Sequence, residues 1–280
     1  MKSVKIVSLT IIIFFMNASA QEKQQKFQVD FNEIKGELNS KDLYKKDFGR
    51  YDGYEIELFQ GEAVNFVVYS TNFQPSIALV NSKGEIYKQS TKNDKGFANI
   101  ASEIPADGHY VLYVIGDETS KGSYTLQTAI AEPNALSLDK NADFCTTLDF
   151  LLSHAKAYFS LLENPSLSKL ELVKLNQSKD VYIDEESGSY KATFENNSDL
   201  SKAESELNNI TDKIKSCLGN EWQITTSNWR KLADYKVKSN SLTEKKNSKP
   251  RYININLYDY AGSKQIFDTR FTVEVEINRK

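Results

Sequence analysis

The chain has 280 residues, 40% of them hydrophobic and 26% charged, with a formal net charge of -3. So slight and diffuse a charge argues against a dedicated nucleic-acid binder, which needs a basic face to neutralise phosphates. The length exceeds the common size of one domain and predicts two units, each able to bury its own core.

Lys2 and Lys5 precede an uncharged apolar run over 6–16, and the small residues Ala18 and Ala20 close it. This is the pattern of a signal peptide over 1–20, its apolar core shorter than a bilayer span of about 20 residues. Residue 21 is Gln rather than Cys, so no acceptor for a lipid stands at the expected cleavage point. The expectation is export to the periplasm or beyond the cell, with cleavage near Ala20 removing two lysines and taking the charge to -5. No later stretch is long and apolar enough for a membrane helix.

From Gly36 to Ala131 apolar and polar residues alternate in short runs, the pattern of an all-β unit. Segments 55–58, 64–69, 76–80, 84–87 and 110–115 read as strands. Gly61 and the stretches 81–84, 93–96, 107–108 and 121–122 supply the turn residues between them. Short strands at this spacing predict a sandwich.

The succession Gly36-Glu37-Leu38, Tyr51-Asp52-Gly53-Tyr54-Glu55-Ile56-Glu57-Leu58, Gly61-Glu62-Ala63-Val64, Pro75-Ser76-Ile77-Ala78-Leu79-Val80, Gly84, Ile104-Pro105-Ala106-Asp107-Gly108-His109-Tyr110 and Gly122-Ser123-Tyr124-Thr125-Leu126 resembles the bacterial pre-peptidase C-terminal domain over residues 27–131. The resemblance implies a jelly-roll-like β-sandwich of the kind that accompanies secreted enzymes and, in some members, binds extracellular matrix or aids secretion. Such domains usually trail a protease, whereas this one directly follows the expected signal peptide. Some members bind calcium through acids near the start of the sandwich. Here Asp30, Glu33, Asp42, Asp47 and Asp52 offer hard oxygen ligands, without the ordered spacing of a calcium loop. No other cofactor is expected.

Proline at 133 ends the strand pattern, because it cannot donate to a ladder, and places a boundary at 131–135. The style then changes, and residues 140–280 are read as an α+β unit of two helices on an antiparallel sheet. Phe144, Leu148, Leu151, Leu152, Ala155, Phe159 and Leu162 recur at helical steps and predict a helix that stops before Pro165. A second helix is predicted over about 200–218, capped by Ser198 or Asp199 and ended by Gly219. A hairpin is read at 180–184 and 189–195, and strands at 222–226, 252–258 and 271–278. The basic cluster 236–251, broken by Ser, Asn and Thr, reads as a solvated loop.

Cys145 begins the first helix and Cys217 ends the second, so antiparallel packing brings them together. In an oxidising compartment that predicts a disulfide, which closes a loop of about 70 residues and stabilises by about 2–5 kcal/mol. Two free buried thiols are the alternative. A catalytic thiol needs a nearby base, and His109 and His154 are the two histidines of the chain.

His109 falls in a turn, and His154 reads as a helix-surface or interdomain residue. Neither lies in a spacing that defines a zinc site. Nucleophile-elbow, phosphate-loop and dinucleotide fingerprints are absent from the sequence. Glu185 and Glu186 read as a hairpin tip, and a glycosidase-type acid pair has no positive support.

The most informative anomaly is apolar. If Val64, Phe66 and Val68 face the core, Val67 and Tyr69 face out; if Tyr110, Leu112 and Val114 face in, Val111, Tyr113 and Ile115 face out. These five are expected to form a patch covered by the second unit or by a partner. The function expected is that of a secreted, non-enzymatic binding or accessory protein whose ligand is an extracellular or periplasmic protein or a polysaccharide. The alternatives are a hydrolase of unfamiliar type in the C-terminal unit, or an inhibitor or immunity-like partner of a secreted enzyme.

Overall fold

The computed structural model describes residues 27–90, 96–163, 167, 173–184, 186–263 and 270–279. The expected signal peptide, most of the turn expected at 93–96, and Glu185 lie outside them.

The first part is β1 (Val29–Leu38), β2 (Leu43–Lys45), β3 (Gly49–Leu58), β4 (Ala63–Tyr69), β5 (Ser76–Val80), β6 (Ile86–Gln89), β7 (Phe97–Glu103), β8 (Gly108–Gly116) and β9 (Gly122–Ala131). These form two antiparallel sheets among the described residues, ordered β1-β9-β4-β7 and β2-β3-β8-β5-β6. Alternation decides the core between them: Val64, Phe66 and Val68 of β4 meet Ile77, Leu79, Leu112 and Val114 from the other sheet, all buried. A buried tyrosine bridges the two sheets. Tyr124 of β9 donates its hydroxyl to Asp52 Oδ2 of β3 at 2.6 Å, and the Tyr54 hydroxyl lies 2.5 Å from it. Gly36 makes room for that ring, since a Cβ there would lie 2.3 Å from it.

A 3-10 turn, Pro133–Leu136, leads into α1 (Phe144–Ala155). Then follow β10 (Asp180–Asp184), β11 (Ser189–Asn197), α2 (Leu200–Leu218), β12 (Trp222–Thr226), β13 (Arg230–Leu232), β14 (Tyr235–Glu244), β15 (Arg251–Asp259) and β16 (Phe271–Arg279). Both helices start on aspartates: Asp143 Oδ1 accepts from Thr146 N at 2.7 Å and Asp199 Oδ1 from Ser201 N at 2.8 Å. The strands make one sheet ordered β10-β11-β16-β15-β14-β12, with β13 on β14. Its face carrying Ile253, Ile255, Leu257, Val273, Val275 and Ile277 packs with the buried stripe of α2 and with α1.

Two expectations are corrected here. The cluster 236–251 is not a loop: most of it lies in β14, an interior strand, and only 245–250 connects to β15. Cross-strand bonds hold its polar residues, with Ser239 Oγ donating to Asn256 Oδ1 at 2.6 Å and Ser241 Oγ to Asn254 Oδ1 at 2.8 Å. On the helix side, Asn240 Nδ2 donates to Thr211 Oγ1 of α2 at 3.0 Å. A strand with polar residues at several buried positions has no apolar alternation to betray it. The first helix is also shorter than its periodicity predicts. It ends at Ala155, and the chain reverses through Tyr158 and Phe159, both left-handed with φ of 50° and 58°.

The two parts share a core. Val29, Ala63, Ala129 and Ala131, on the outer face of the first sheet, pack in one cluster with Phe150, Leu151 and Ala155 of α1. The small side chains let the helix lie close, and Phe27 meets Phe150 edge to face at 5.0 Å. Arg251 donates to the Leu152 carbonyl at 3.1 Å, and Arg279 donates to the Lys156 carbonyl while lying over the Phe31 ring.

Candidate functional site

The outer face of the first sheet is only half covered. At one end lies α1; toward the other, a cleft of about 320 Å³ opens between the sandwich and the helix-bearing layer. Register sets its floor: Phe31 pairs with Ala129 and Ala129 with Asn65, Gln127 with Val67, and Thr125 with Tyr69. One wall is Ala157, Tyr158, Ser160 and Glu163, from the reversal after α1; the other is Glu186, Ser187 and Gly188, from the turn between β10 and β11. The walls touch at a point that requires glycine. Gly188 has φ 58°, and a Cβ there would lie 2.8 Å from Tyr158 Cβ. Asp184 shapes that turn, accepting from the Glu186 and Ser187 amides at 3.1 and 3.2 Å and pairing with Lys191 Nζ at 2.9 Å. The Lys191 hydrogen bond, aided by these amides, holds the Asp184 carboxyl below the usual range.

Asn65 is the anomalous residue in this cleft. It is 6% exposed, its Nδ2 donates to the Ser160 carbonyl at 3.3 Å, and its Oδ1 has no hydrogen-bond partner. On the same face of β4, four residues and about 13 Å further along, Tyr69 is 46% exposed, its ring backed by Phe97 at 6.2 Å. Tyr69 also lines a neighbouring recess of about 470 Å³ with Lys35, Ser70, Ser123 and Thr125.

The expected patch is divided. Val67 and Tyr69 line the cleft, whereas Val111 and Tyr113 lie on the outer face of the other sheet, across the sandwich, and Ile115 is 1% exposed. The correction follows from topology: β4 and β8 belong to different sheets, so outward on one is opposite to outward on the other. Tyr113 packs edge to face against Phe48 and Tyr51 at 5.6 and 5.2 Å. It borders a recess of about 500 Å³ with Asp42, Asp52 and Gly53.

The five acids have separate partners or places. Asp30 accepts from Gln28 at 3.4 Å, Glu33 pairs with Lys249 at 3.8 Å, Asp42 takes the Asn39 amide, Asp47 occupies a left-handed turn and Asp52 takes Tyr124. Among the described residues no three His, Cys, Asp or Glu side chains gather to hold a metal ion. Cys145 and Cys217 are joined by a disulfide, Cα atoms 5.2 Å apart. His109 is exposed on β8, and Glu186 is exposed at its turn. His154 is enclosed between α1 and the connection from the sandwich, its Nε2 donating to the Ala135 carbonyl at 2.7 Å.

Beside the disulfide a recess of about 380 Å³ holds Asp149, Glu221, Trp222, Glu244 and Arg251. Burial pushes the Asp149 carboxyl up. Burial acts the same way on Glu244, but the two-pronged contact with Arg251 outweighs it and holds that carboxyl down.

Sequence reasoning missed Asn65 and the walls. Asn65 did leave a signal, an amide inside the run Val64-Asn65-Phe66-Val67-Val68. Tyr158, Ser160 and Gly188 left none, because they reach the floor only through the tertiary fold.

No protein-family model matches the chain, and no curated protein matches it. Among solved structures it is similar to the pre-peptidase C-terminal domain of a collagenase from Bacillus anthracis, 18% identical with a TM-score of 0.28, covering 35% of this chain and 87% of that one. It is similar too to PliG of Aeromonas hydrophila, a periplasmic inhibitor of g-type lysozyme, at 14% identity and TM-score 0.28, covering 36% and 85%. The propeptide form of the Bacillus licheniformis lipase BlEst2 aligns over 92% of this chain and 46% of that one, at 12% identity and TM-score 0.26. These are weak likenesses of fold and carry nothing about function.

Proposed function

We propose that this is an exported, non-enzymatic binding or accessory protein of two units, a jelly-roll-like sandwich of the pre-peptidase C-terminal kind over 27–131 and an α+β unit over 140–280, which takes its ligand in the cleft between them. The observation that supports it best is Asn65. A buried acceptor left unpaired costs about 1–3 kcal/mol, and this one lines the same cleft as an exposed aromatic ring, walled in part by the left-handed backbone of Tyr158. Export is supported by the signal-like segment 1–20 and by the disulfide.

The test is co-sedimentation of the purified protein with insoluble bacterial envelope and with extracellular polymers. Tyr69→Arg is expected to reduce retention at least tenfold and Tyr113→Arg, on the far face, to leave it unchanged. The reverse pattern overturns the assignment to the cleft.

A second reading is favoured by the recess at the disulfide, where environment pushes the Asp149 and Glu244 carboxyls apart as an acid and base pair requires. It places a hydrolase in the C-terminal unit. Turnover of a supplied polymer that vanishes in Asp149→Asn, with the fold intact, would establish it and displace the binding role.

A further inference from the structure

We propose, building on the cleft reading, that the ligand is a carbohydrate: a neutral or amine-bearing oligosaccharide lying across the outer face of the first sheet, one sugar stacked on Tyr69 and another, further along the chain past Val67, near Asn65. Tyr69 is shared by the cleft and the adjoining recess, so the two make one elongated track across β4 and β9. β4 and β9 are the interior strands of their sheet, with ladders on both sides. A peptide adding as a strand therefore finds no backbone edge on this floor, and recognition rests on side chains.

Those side chains suit a sugar. The half-exposed Tyr69 offers a flat ring that matches the C–H face of a pyranose, and Val67, Ala129, Phe31 and Tyr158 continue the apolar surface along the cleft. The polar surface comes from amide, hydroxyl, carboxylate and ammonium groups such as Gln127, Thr125, Glu186 and Lys35, which bond to neighbouring hydroxyls in pairs. Asn65 Oδ1 accepts and asks for a donor, which a hydroxyl or an ammonium supplies and a carboxylate does not. It is closed to solvent, so the donor reaches it as the Ser160 segment yields its 3.3 Å contact with Asn65. Glu186 adds negative charge at the rim of the cleft and opposes a uronic acid there, while the Lys35 ammonium lies at the other end of the track.

The test is calorimetric titration of the whole protein with cellohexaose, chitohexaose, the deacetylated chitosan hexamer and hexagalacturonate. Binding is expected for the neutral and amine-bearing hexamers and weakest for hexagalacturonate. Tyr69→Ala is expected to weaken it at least tenfold, Tyr69→Phe to retain it, Gln127→Ala to weaken it severalfold and Tyr113→Ala to leave it unchanged. Absence of binding by every hexamer, tightest binding of hexagalacturonate, or equal loss in Tyr113→Ala overturns the proposal. If no hexamer binds while Tyr69→Arg still abolishes retention on envelope polymer, the carbohydrate class falls and the cleft stands; if retention also survives that substitution, both fall.

Discussion

At His154 a single buried imidazole sets a pH dependence. Its Nε2 serves the Ala135 carbonyl, its Nδ1 has no partner, and the ring lies 4.7 Å from that of Phe150. Burial pushes its pKa down to about 4, against a smaller opposing effect of the carbonyl bond. The unfolded chain takes up a proton near the ordinary value of about 6.5 while the folded chain refuses it. Stability is therefore complete above pH 6.5 and declines as pH falls toward 4, by at most about 1.4 kcal/mol per pH unit from this residue. His154→Gln, which keeps a donor for Ala135, is expected to flatten that decline. The denaturant midpoint measured from pH 7 to 4 checks it, read as a difference from the parent. That difference removes the opposite contribution of Asp149 and Glu274, whose carboxyls burial raises. Parallel profiles for the two proteins sink the assignment.

Between elements, the disulfide ties the start of α1 to the end of α2, residues 72 apart in sequence. Cross-linking so long a loop removes disorder from the unfolded chain rather than adding contacts to the folded one. Replacing both cysteines by serine is expected to cost about 2–5 kcal/mol, read from chemical denaturation with the native circular dichroism unchanged. The helices keep their own supports for this, the aspartate caps and the shared apolar cluster. An unchanged midpoint would show that the unfolded chain is already held compact by other means.

For the molecule as a whole, the consequential feature is that the sandwich and the helix-bearing layer share one apolar cluster. Phe27 and the alanines of the first sheet lose their cover if α1 leaves, so partial unfolding exposes core on both sides. Scanning calorimetry is expected to show one transition for the whole chain, with Phe150→Ala lowering stability by about 3–5 kcal/mol. Two separated transitions in the unaltered protein contradict the shared core. The same docking makes the cleft, since its floor belongs to the sandwich and its walls to the segments that follow.

What local pattern can carry was legible in the sequence. The span of α2 followed from apolar residues at helical steps and an aspartate at its cap, and the Val64, Phe66 and Val68 core from simple alternation. The meeting of Cys145 with Cys217 followed once two antiparallel helices were expected. Val67 and Tyr69, two residues of the cleft, came from the same alternation. What depends on distant partners was not legible. β14 places polar side chains at buried positions and bonds Ser239 to β15 and the Asn240 amide nitrogen to α2, so its own residues carry no apolar signature. α1 stops early because Tyr158, Phe159 and Leu161 are placed by the turn rather than by further helix. The single patch divided because alternation tells which residues share a face of one strand, whereas only the assembled sandwich decides which sheet that strand joins.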